Sequence, residues 1–337
     1  MDYDQITIAV DAMGGDNSPY KSLKGVEIFL SKRPDCKIIL FGNKTLIEET
    51  INLAKLQLSN LEIVNSIENI ENDDSANTIL RNKKESSIHN GLQFVKESKL
   101  SGFVSAGNTA GIMILSRLKL GMIENIERPA ICSVIPNKIS HSIMLDLGAN
   151  VYSNAKNLFQ FAVMGYCYHS FFKDSKNPKI AIINIGIENN KGKEFLQEAS
   201  ELIANSFLKD NFIGFLEPDK ITSGECDIII SDGYTGNIIL KTAEGMSDYI
   251  TGNLKKIFSK NLINKLAYKI LEKDILLFKD NINPEKYNGA MLLGVDGVSI
   301  KSHGSASPLA FSFAIENCYQ FIKKDINNKI RKQLEFL

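Results

Sequence analysis

Short, continuously apolar segments alternate along this chain with longer segments of helical periodicity, and this alternation restricts the possible folds more than any other feature. Continuous apolar runs favour strands that are covered on both faces, because half-exposed strands alternate apolar and polar residues. The predicted strands lie at 6–11, 36–41, 61–64, 103–104, 143–147, 179–185, 212–216, 226–230 and 298–300. Strands that alternate with helices predict an α/β fold with a doubly wound, mostly parallel sheet.

The length of 337 residues exceeds one typical domain. We therefore expect a single large α/β domain over 1–337 or two lobes around a central cleft. Pro129 and Pro136 interrupt the pattern and mark at most a weak boundary within 124–140. The polar stretch 65–90 is predicted to cross the surface.

Charge and cysteine content argue against several classes of function. Basic and acidic residues balance at 39 each, which gives no support for nucleic-acid binding. The five cysteines are far apart and form no C-x-x-C pair, which indicates reduced thiols rather than disulfides or a zinc site. Neither a basic signal-peptide region nor an 18-residue apolar run is present, so we expect a cytoplasmic protein. No metal and no cofactor is predicted.

Glycine-rich or polar loops follow most of the predicted strands. The loop 105–111 (SAGNTAG) opens a helix over 112–120, and the loop 11–16 (DAMGGD) follows the first strand. Small residues at such turns let backbone N–H groups approach an anion closely. Because parallel strands end at one edge of a sheet, we expect all these loops to converge there in one cleft.

Other loops carry polar side chains that have either a structural or a functional explanation. A basic cluster at 81–87 contains Lys83, and the loops 146–150 (DLGAN) and 231–237 (SDGYTGN) follow strands. Lys191 lies near a helix start after the strand at 179–185, and His303 lies in the Gly/Ser-rich loop after 298–300. Capped turns and solvated side chains explain each of these equally simply.

The segment 254–279 has a different pattern. Apolar residues recur at helical spacing and lysines interleave with them, which predicts two amphipathic helices with a break near 259–261. We expect this helical hairpin insertion to occupy about 245–280. It packs either on the core, on a partner subunit, or on an anionic lipid surface.

Taken in order, these loops resemble one family, the bacterial phosphate acyltransferases of phospholipid synthesis, also called acyl-acyl-carrier-protein:phosphate transacylases. The resemblance extends from about Ile6 to Ile322. One departure is that Ala110 and Gly111 exchange the usual order of these two residues. The family-like segments are 9–16, 81–87, 105–109, 145–150, 161–165, 231–237 with 241–245, and 292–304.

The resemblance implies a fold of the isocitrate/isopropylmalate dehydrogenase-like type, shared with phosphate acetyltransferases, and a homodimer. It implies transfer of a fatty acyl group from acyl carrier protein to inorganic phosphate. The product, acyl-phosphate, would be consumed by an acyl-phosphate-dependent glycerol-3-phosphate acyltransferase. The hairpin would give peripheral contact with the inner face of the cell membrane.

This chemistry needs no covalent enzyme intermediate, only a held phosphate and a stabilised oxyanion. The predicted phosphate-binding residues are Gly14, Gly15, Asp16, Ser105, Gly107, Asn108 and Thr109. The predicted catalytic residues are Asn237, His303, Lys191 and Asp232, of which Lys191 is a charge partner for the phosphate. The predicted substrate-orienting residues are Asp11, Lys83, Asp146, Asn150 and Lys241.

Three alternatives stay open. The acyl donor could be a coenzyme A thioester rather than the carrier protein. A metal- and nicotinamide-dependent β-decarboxylating dehydrogenase would need clustered aspartates, whereas Asp11, Asp146 and Asp232 lie on separate loops. A non-enzymatic membrane scaffold would not need the polar loops.

Overall fold

The structure of the protein, a computed structural model, describes residues 5–71, 73–171, 177–282 and 287–335, except for the side chains of 279–282. The strands are β1 (Thr7–Asp11), β2 (Lys37–Gly42), β3 (Leu61–Asn65), β4 (Ser101–Ser105), β5 (Ala130–Pro136), β6 (His141–Leu145), β7 (Ile180–Ile183), β8 (Phe212–Leu216), β9 (Ile228–Ile230), β10 (Ala290–Leu293) and β11 (Val298–Lys301). The helices are α1 (Tyr20–Leu30), α2 (Lys44–Ala54), α3 (Ala76–Asn82), α4 (Ser87–Glu97), α5 (Thr109–Leu120), α6 (Ala155–His169), α7 (Glu194–Ala204), α8 (Gly233–Ser259), α9 (Leu262–Ile282), α10 (Pro308–Lys323) and α11 (Ile326–Leu334).

The strands form one sheet in the order β3-β2-β1-β4-β11-β10-β5-β6-β9-β7-β8. Within the described chain, seven neighbouring pairs are parallel and three are antiparallel, namely β11–β10, β10–β5 and β5–β6. The predicted mostly parallel α/β sheet is confirmed.

The three antiparallel pairs reverse the direction of the second half of the sheet. An odd number of reversals makes β6, β7, β8 and β9 run opposite to β1, β2, β3, β4 and β11. The carboxyl ends of the two halves therefore face opposite edges. The expectation that all post-strand loops converge on one edge is wrong, because it did not include the antiparallel strands β5 and β10.

Helices cover both faces of the sheet, and β1 shows why its strand is continuously apolar. Ile8 and Val10 belong to a core that includes α1 and α10 residues. Ala9, between them, faces a second core formed with α4 and α5 residues. Because successive strand residues point to opposite faces, both faces need apolar side chains.

Residues 65–90 depart from the predicted surface crossing. They contain α3, and the side chains of Ile70 and Ile79 are buried against Ile112 and Leu115 of the same core. The sequence pattern did not reveal these two buried isoleucines because most residues around them are polar.

Two long helices, α8 and α9, follow the last parallel strand of the second half and are separated at residues 260–261. They contact each other through the rings of Phe258 and Tyr268, whose centroids lie 5.6 Å apart. Beyond Gly236 no described residue of α8 is buried, and the side chains of Leu262 and Ile263 are 83% and 77% exposed. None of the described helices has the length and apolarity needed to cross a membrane.

Candidate functional site

The loops that follow β1, β4 and β11 meet at one edge of the sheet and form what we call the first loop cluster, residues 11–16, 105–109 and 301–305. The buried Asp11 accepts a hydrogen bond at Oδ2 from Ser105 Oγ (2.6 Å). Ser105 Oγ in turn accepts from the Gly107 N–H (2.9 Å). A Cβ at Gly14 would lie 2.5 Å from Gly107 N. The first two loops are therefore in direct backbone contact, which only glycine allows there.

The third loop joins them through Gly304. Its carbonyl accepts hydrogen bonds from Lys21 Nζ (2.7 Å) and from the Asp16 N–H (2.9 Å). Gly15, at φ +80°, lies between them, and a Cβ there would be 2.4 Å from Lys21 Nζ. Lys21 is itself buried at the start of α1, so this lysine connects the first and third loops.

Two lysines that were not predicted as site residues, Lys21 and Lys301, face the first loop cluster. Lys301 ends β11 in register with Ser105 of β4. Burial, together with the charges of Lys21 and Lys241, lowers the pKa of Lys301 to about 8, against the opposing effect of Asp11. Burial likewise lowers the pKa of Lys21. The charges of Asp16 and Asp11 oppose this lowering at Lys21. Two partly desolvated cations beside the glycine loops make the cluster suited to receive an anion.

His303 lies beside these lysines and contacts Ser305. Its Nδ1 accepts from the Ser305 N–H (3.3 Å) and lies 2.9 Å from Ser305 Oγ. Burial lowers the pKa of His303, Glu244 opposes this, and the charges of Lys241 and Lys301 add to the lowering. The lowered pKa favours the neutral ring, and the hydrogen bond that Nδ1 accepts from the Ser305 N–H favours a proton on Nε2, which lies 4.0 Å from Glu244 Oε1.

The N-terminus of α5 completes the first loop cluster. Asn108 Oδ1 caps this helix by accepting from the Gly111 N–H (2.8 Å), and its Nδ2 donates to the Glu71 carbonyl (2.9 Å). Thr109 is exposed in the first turn. Asn108 thus supports the loop, while α5 directs its positive dipole end at the cluster.

Lys83, predicted as a substrate-orienting residue, forms an ion pair with Asp74 (3.9 Å).

A pocket of about 650 Å³ adjoins the first loop cluster. It lies between the N-termini of α1 and α10 and shares Lys21 and Ser305 with the cluster. Its lining residues are Asn17, Ser18, Pro19, Tyr20, Lys21, Thr50, Ser305, Ala306, Ser307 and Pro308.

The opposite edge carries a second loop cluster, residues 146–150 and 231–237. The carboxylate of the fully buried Asp146 accepts five hydrogen bonds, from the N–H groups of Ile131, Gly148, Ala149 and Asn150 and from Asn150 Nδ2. Burial raises the pKa of Asp146, and these hydrogen bonds oppose the increase. Four of these bonds come from its own loop and one from Ile131 at the start of β5, so Asp146 organises this loop and joins it to β5.

Asp232 also has a structural role in this second loop cluster. It caps α8 by accepting from the Thr235 N–H (2.9 Å) and from Thr235 Oγ1 (2.7 Å). Asn150 Nδ2 additionally donates to the Pro129 carbonyl (2.7 Å). Asn237, in contrast, is exposed in the first turns of α8 and lies beside Gly148.

Lys191 requires a correction. It lies after β7, at the opposite edge of the sheet from Gly14 and Gly15, and forms an ion pair with Glu188 (2.8 Å). The lysines beside the glycine loops are Lys21 and Lys301 instead. The predicted charge-partner role of Lys191 for that phosphate cradle is therefore not supported by the topology.

Helix α8 connects the two loop clusters. It begins at Asp232 in the second cluster, and twelve residues later Glu244 reaches His303 of the first, a rise of about 18 Å. Between these two points, Lys241 Nζ pairs with Glu244 Oε2 (2.7 Å).

Within the described part of the chain, no group of three or more His, Cys, Asp or Glu side chains is arranged to hold a metal ion.

Comparisons with known proteins agree on one family. The profile of the family described as "Fatty acid synthesis protein" matches residues 6–329. A phosphate acyltransferase of Clostridium tetani is 38% identical over 97% of both chains, and one of Pelagibacter ubique is 36% identical over 98% of both. Among solved structures, a phosphotransacetylase from Streptococcus pyogenes is similar in fold, with a TM-score of 0.63, 15% identity and coverage of 95% of this chain and 94% of that one.

Proposed function

The chain belongs to the fatty acid synthesis protein family and is an acyltransferase of lipid synthesis, and from this we propose that it transfers a fatty acyl group from acyl carrier protein to inorganic phosphate. The product is acyl-phosphate. Its consumer is an acyl-phosphate-dependent glycerol-3-phosphate acyltransferase, in the route to phospholipids.

The observation that carries this proposal is the charge of the first loop cluster. Lys21 and Lys301 lie beside the glycine loops and the N-terminus of α5, where Asp16 and Asp11 act on the charge of Lys21 and Asp11 acts on that of Lys301. A phosphate dianion would pair with these two cations, and Gly14, Gly15 and Gly107 leave room for it against the backbone. Phosphate is already a nucleophile, so the enzyme has mainly to hold it against the thioester carbonyl.

The oxyanion that forms during the attack needs donors on the side facing α8. The Nε2–H of His303 and the ammonium of Lys241 lie on that side, and the exposed Asn237 precedes Lys241 by one helical turn. Removing one oxyanion donor costs on the order of 100–1000-fold in rate in well-studied acyl transfers. Asp146, Asn150 and Asp232 act by fixing where α8 begins.

We infer that acyl carrier protein rather than coenzyme A delivers the acyl group. Carrier proteins are acidic, and the exposed Arg81 and Lys84 before α4 are candidate cations for a docking surface. The pocket between α1 and α10 offers space beside Lys21 for a thioester arm. Raised salt should weaken this docking, because exposed charges are screened within about 10 Å at 0.1 M.

The remaining assignments are proposals of the same kind. We propose a homodimer of the isocitrate/isopropylmalate dehydrogenase-like type, with residues 245–280 as a hairpin insertion. The exposed apolar side chains and lysines of this segment suit peripheral contact with the inner face of the cell membrane, in an otherwise cytoplasmic protein.

The test is a mixture of purified protein and acyl-acyl-carrier-protein, in which free thiol is measured with and without phosphate and acyl-phosphate is trapped with hydroxylamine. Phosphate-dependent thiol release with a trapped product is expected. A parallel assay replaces the carrier protein by acyl-coenzyme A and should be slower. No release by the folded protein would refute the transfer, and equal rates with both donors would refute the carrier-protein preference.

A further inference from the structure

Lys301 can do more than supply positive charge for the phosphate. It is the last residue of β11, in register with Ser105 of β4, and its Nζ donates to the Ser302 carbonyl. Charged groups face it from three other elements, which are Asp11 of β1, Lys21 of α1 and Lys241 of α8. The neighbouring His303 is the fourth titratable group. The Lys301 ammonium therefore lies between the glycine loops and α8, where phosphate and thioester would meet.

We propose that Lys301 is the catalytic proton shuttle of the reaction, giving a proton to the departing thiolate and receiving one from the phosphate. This inference rests on the proposed function. An oxygen of HPO₄²⁻ forms a bond to the thioester carbon, and the tetrahedral intermediate collapses with cleavage of the carbon–sulfur bond. The sulfur takes a proton from the Lys301 ammonium. The neutral amine then takes the remaining hydroxyl proton of the phosphoryl group, so that the products are acyl-phosphate dianion and free thiol.

The other cations of the cluster are less suited to this role. Lys21 Nζ donates across the cluster to the Gly304 carbonyl (2.7 Å) and so helps to hold two loops together, whereas Lys301 Nζ donates to the carbonyl of its sequence neighbour Ser302. Lys241 is paired with Glu244 (2.7 Å) and exposed. Burial lowers the pKa of His303 and so favours the neutral imidazole, which is a very weak acid.

Lys301 also has the appropriate acidity. Burial and the two neighbouring lysines lower its pKa to about 8, whereas an unperturbed lysine has a pKa of about 10.4 and an alkyl thiol one of about 8.5. At pH 7 the side chain is mostly protonated, and transfer to the departing sulfur is close to balanced. Proton transfer in such a step contributes on the order of 100–10,000-fold to the rate.

The test compares two variants on two thioesters. Lys301→Arg keeps the positive charge but has no acidic proton at neutral pH, while Lys301→Met loses both. Each is assayed with a carrier-protein (alkyl) thioester and with an aryl thioester, whose thiolate leaves without protonation. We expect Lys301→Arg to lose roughly 100-fold or more in kcat on the alkyl thioester, by general acid catalysis, and to recover most of that loss on the aryl thioester. Its KM for phosphate should stay within about threefold, whereas that of Lys301→Met should rise further.

A control and a second measurement make the outcome decisive. Lys220→Met removes an exposed lysine paired with Asp219 and should react at the rate of the unchanged protein. In the unchanged protein, kcat/KM for phosphate should fall about tenfold per pH unit above pH 8, and this limb should be absent in Lys301→Arg.

Equal losses by Lys301→Arg on both thioesters would overturn the shuttle, as would a rate within threefold of the unchanged protein. If kcat/KM for phosphate in the unchanged protein stays constant up to pH 9.5, this measurement alone refutes the proton shuttle. Failure of the proposed function is a separate result, because then the unchanged protein releases no thiol in response to phosphate with either thioester.

Discussion

Replacement of Asp146 by asparagine is expected to lower the stability of the protein. Asp146 is fully buried, and its two carboxylate oxygens accept five hydrogen bonds from the β5 start and from its own loop. The substitution keeps the shape of the side chain and removes one acceptor. It therefore tests whether this residue organises the loop or contacts the substrate.

The magnitude follows from the donors that lose their acceptor. With its oxygen in place of Oδ1, the amide still accepts from Ile131, Gly148 and Ala149, but its NH₂ group then faces the N–H and Nδ2 of Asn150. Two hydrogen bonds to a charged group are lost, at roughly 1.5–3 kcal/mol each. The burial cost of the carboxylate, which raises the pKa of Asp146, disappears and offsets part of this. We expect a loss of about 2–4 kcal/mol in the free energy of unfolding.

The assay is equilibrium unfolding in denaturant, followed by turnover of the variant well below its unfolding midpoint. Asp219→Asn is the matched control, because Asp219 is exposed and only pairs with Lys220 at 3.7 Å; a change within about 0.5 kcal/mol is expected there. If Asp146→Asn keeps the stability of the unchanged protein yet loses activity, the reasoning is refuted and Asp146 acts on the substrate.

Three further results are expected. Glu244→Gln should lower the pKa of His303, because the Glu244 carboxylate raises it in the folded protein; an NMR titration of the ring that shows no change or an increase would contradict this. Gly14→Ala places a methyl group 2.4 Å from Asp11 Oδ2. It should lower the free energy of unfolding by roughly 1–3 kcal/mol through overpacking and should also lower phosphate-dependent turnover. A variant with unchanged unfolding midpoint and turnover would show that the loops are not in tight contact. A thiol reagent should label none of the five buried cysteines in the native protein, and labelling without denaturant would show that a cysteine is accessible. Burial raises the thiol pKa to about 12 at Cys36, Cys167 and Cys226.

The individual elements of the fold could be predicted because their signal is local. The strand predicted at 212–216 coincides with β8, and the helix predicted over 112–120 lies within α5. The sense of the second half of the sheet could not be predicted in this way. Strand β5 starts after Pro129 and ends on Pro136, and β10 has four residues, so neither gives a clear pattern. Their antiparallel pairing nevertheless decides at which edge every later loop lies.

The candidate site was predictable to the same extent. Asp11 and the glycines follow strands directly, and their loops do meet. Lys21 and Lys301 were missed because their lowered pKa values arise from burial and, at Lys301, also from the charge of Lys21, although the two are 280 positions apart in the sequence. Asp146 and Asp232 show that a sequence pattern can leave a role open. An aspartate beside glycine after a strand has the same pattern whether it caps a helix, organises a loop or contacts a substrate.

Helix α8 explains how loops at opposite edges of one sheet can still serve one reaction. It starts in the second loop cluster, where Asp232 caps it, and its fourth turn brings Glu244 to His303 in the first. Because a helix is stiff along its axis, the position of Lys241 and Glu244 is set by how the second cluster holds the first turn, where Gly233 and Gly236 are buried. A Cβ at Gly236 would overlap sterically with the Asp146 carbonyl oxygen. The second cluster therefore fixes the start of α8. We propose that Asp146, Asn150 and Asp232 act on the first cluster through this helix and not by contacting phosphate.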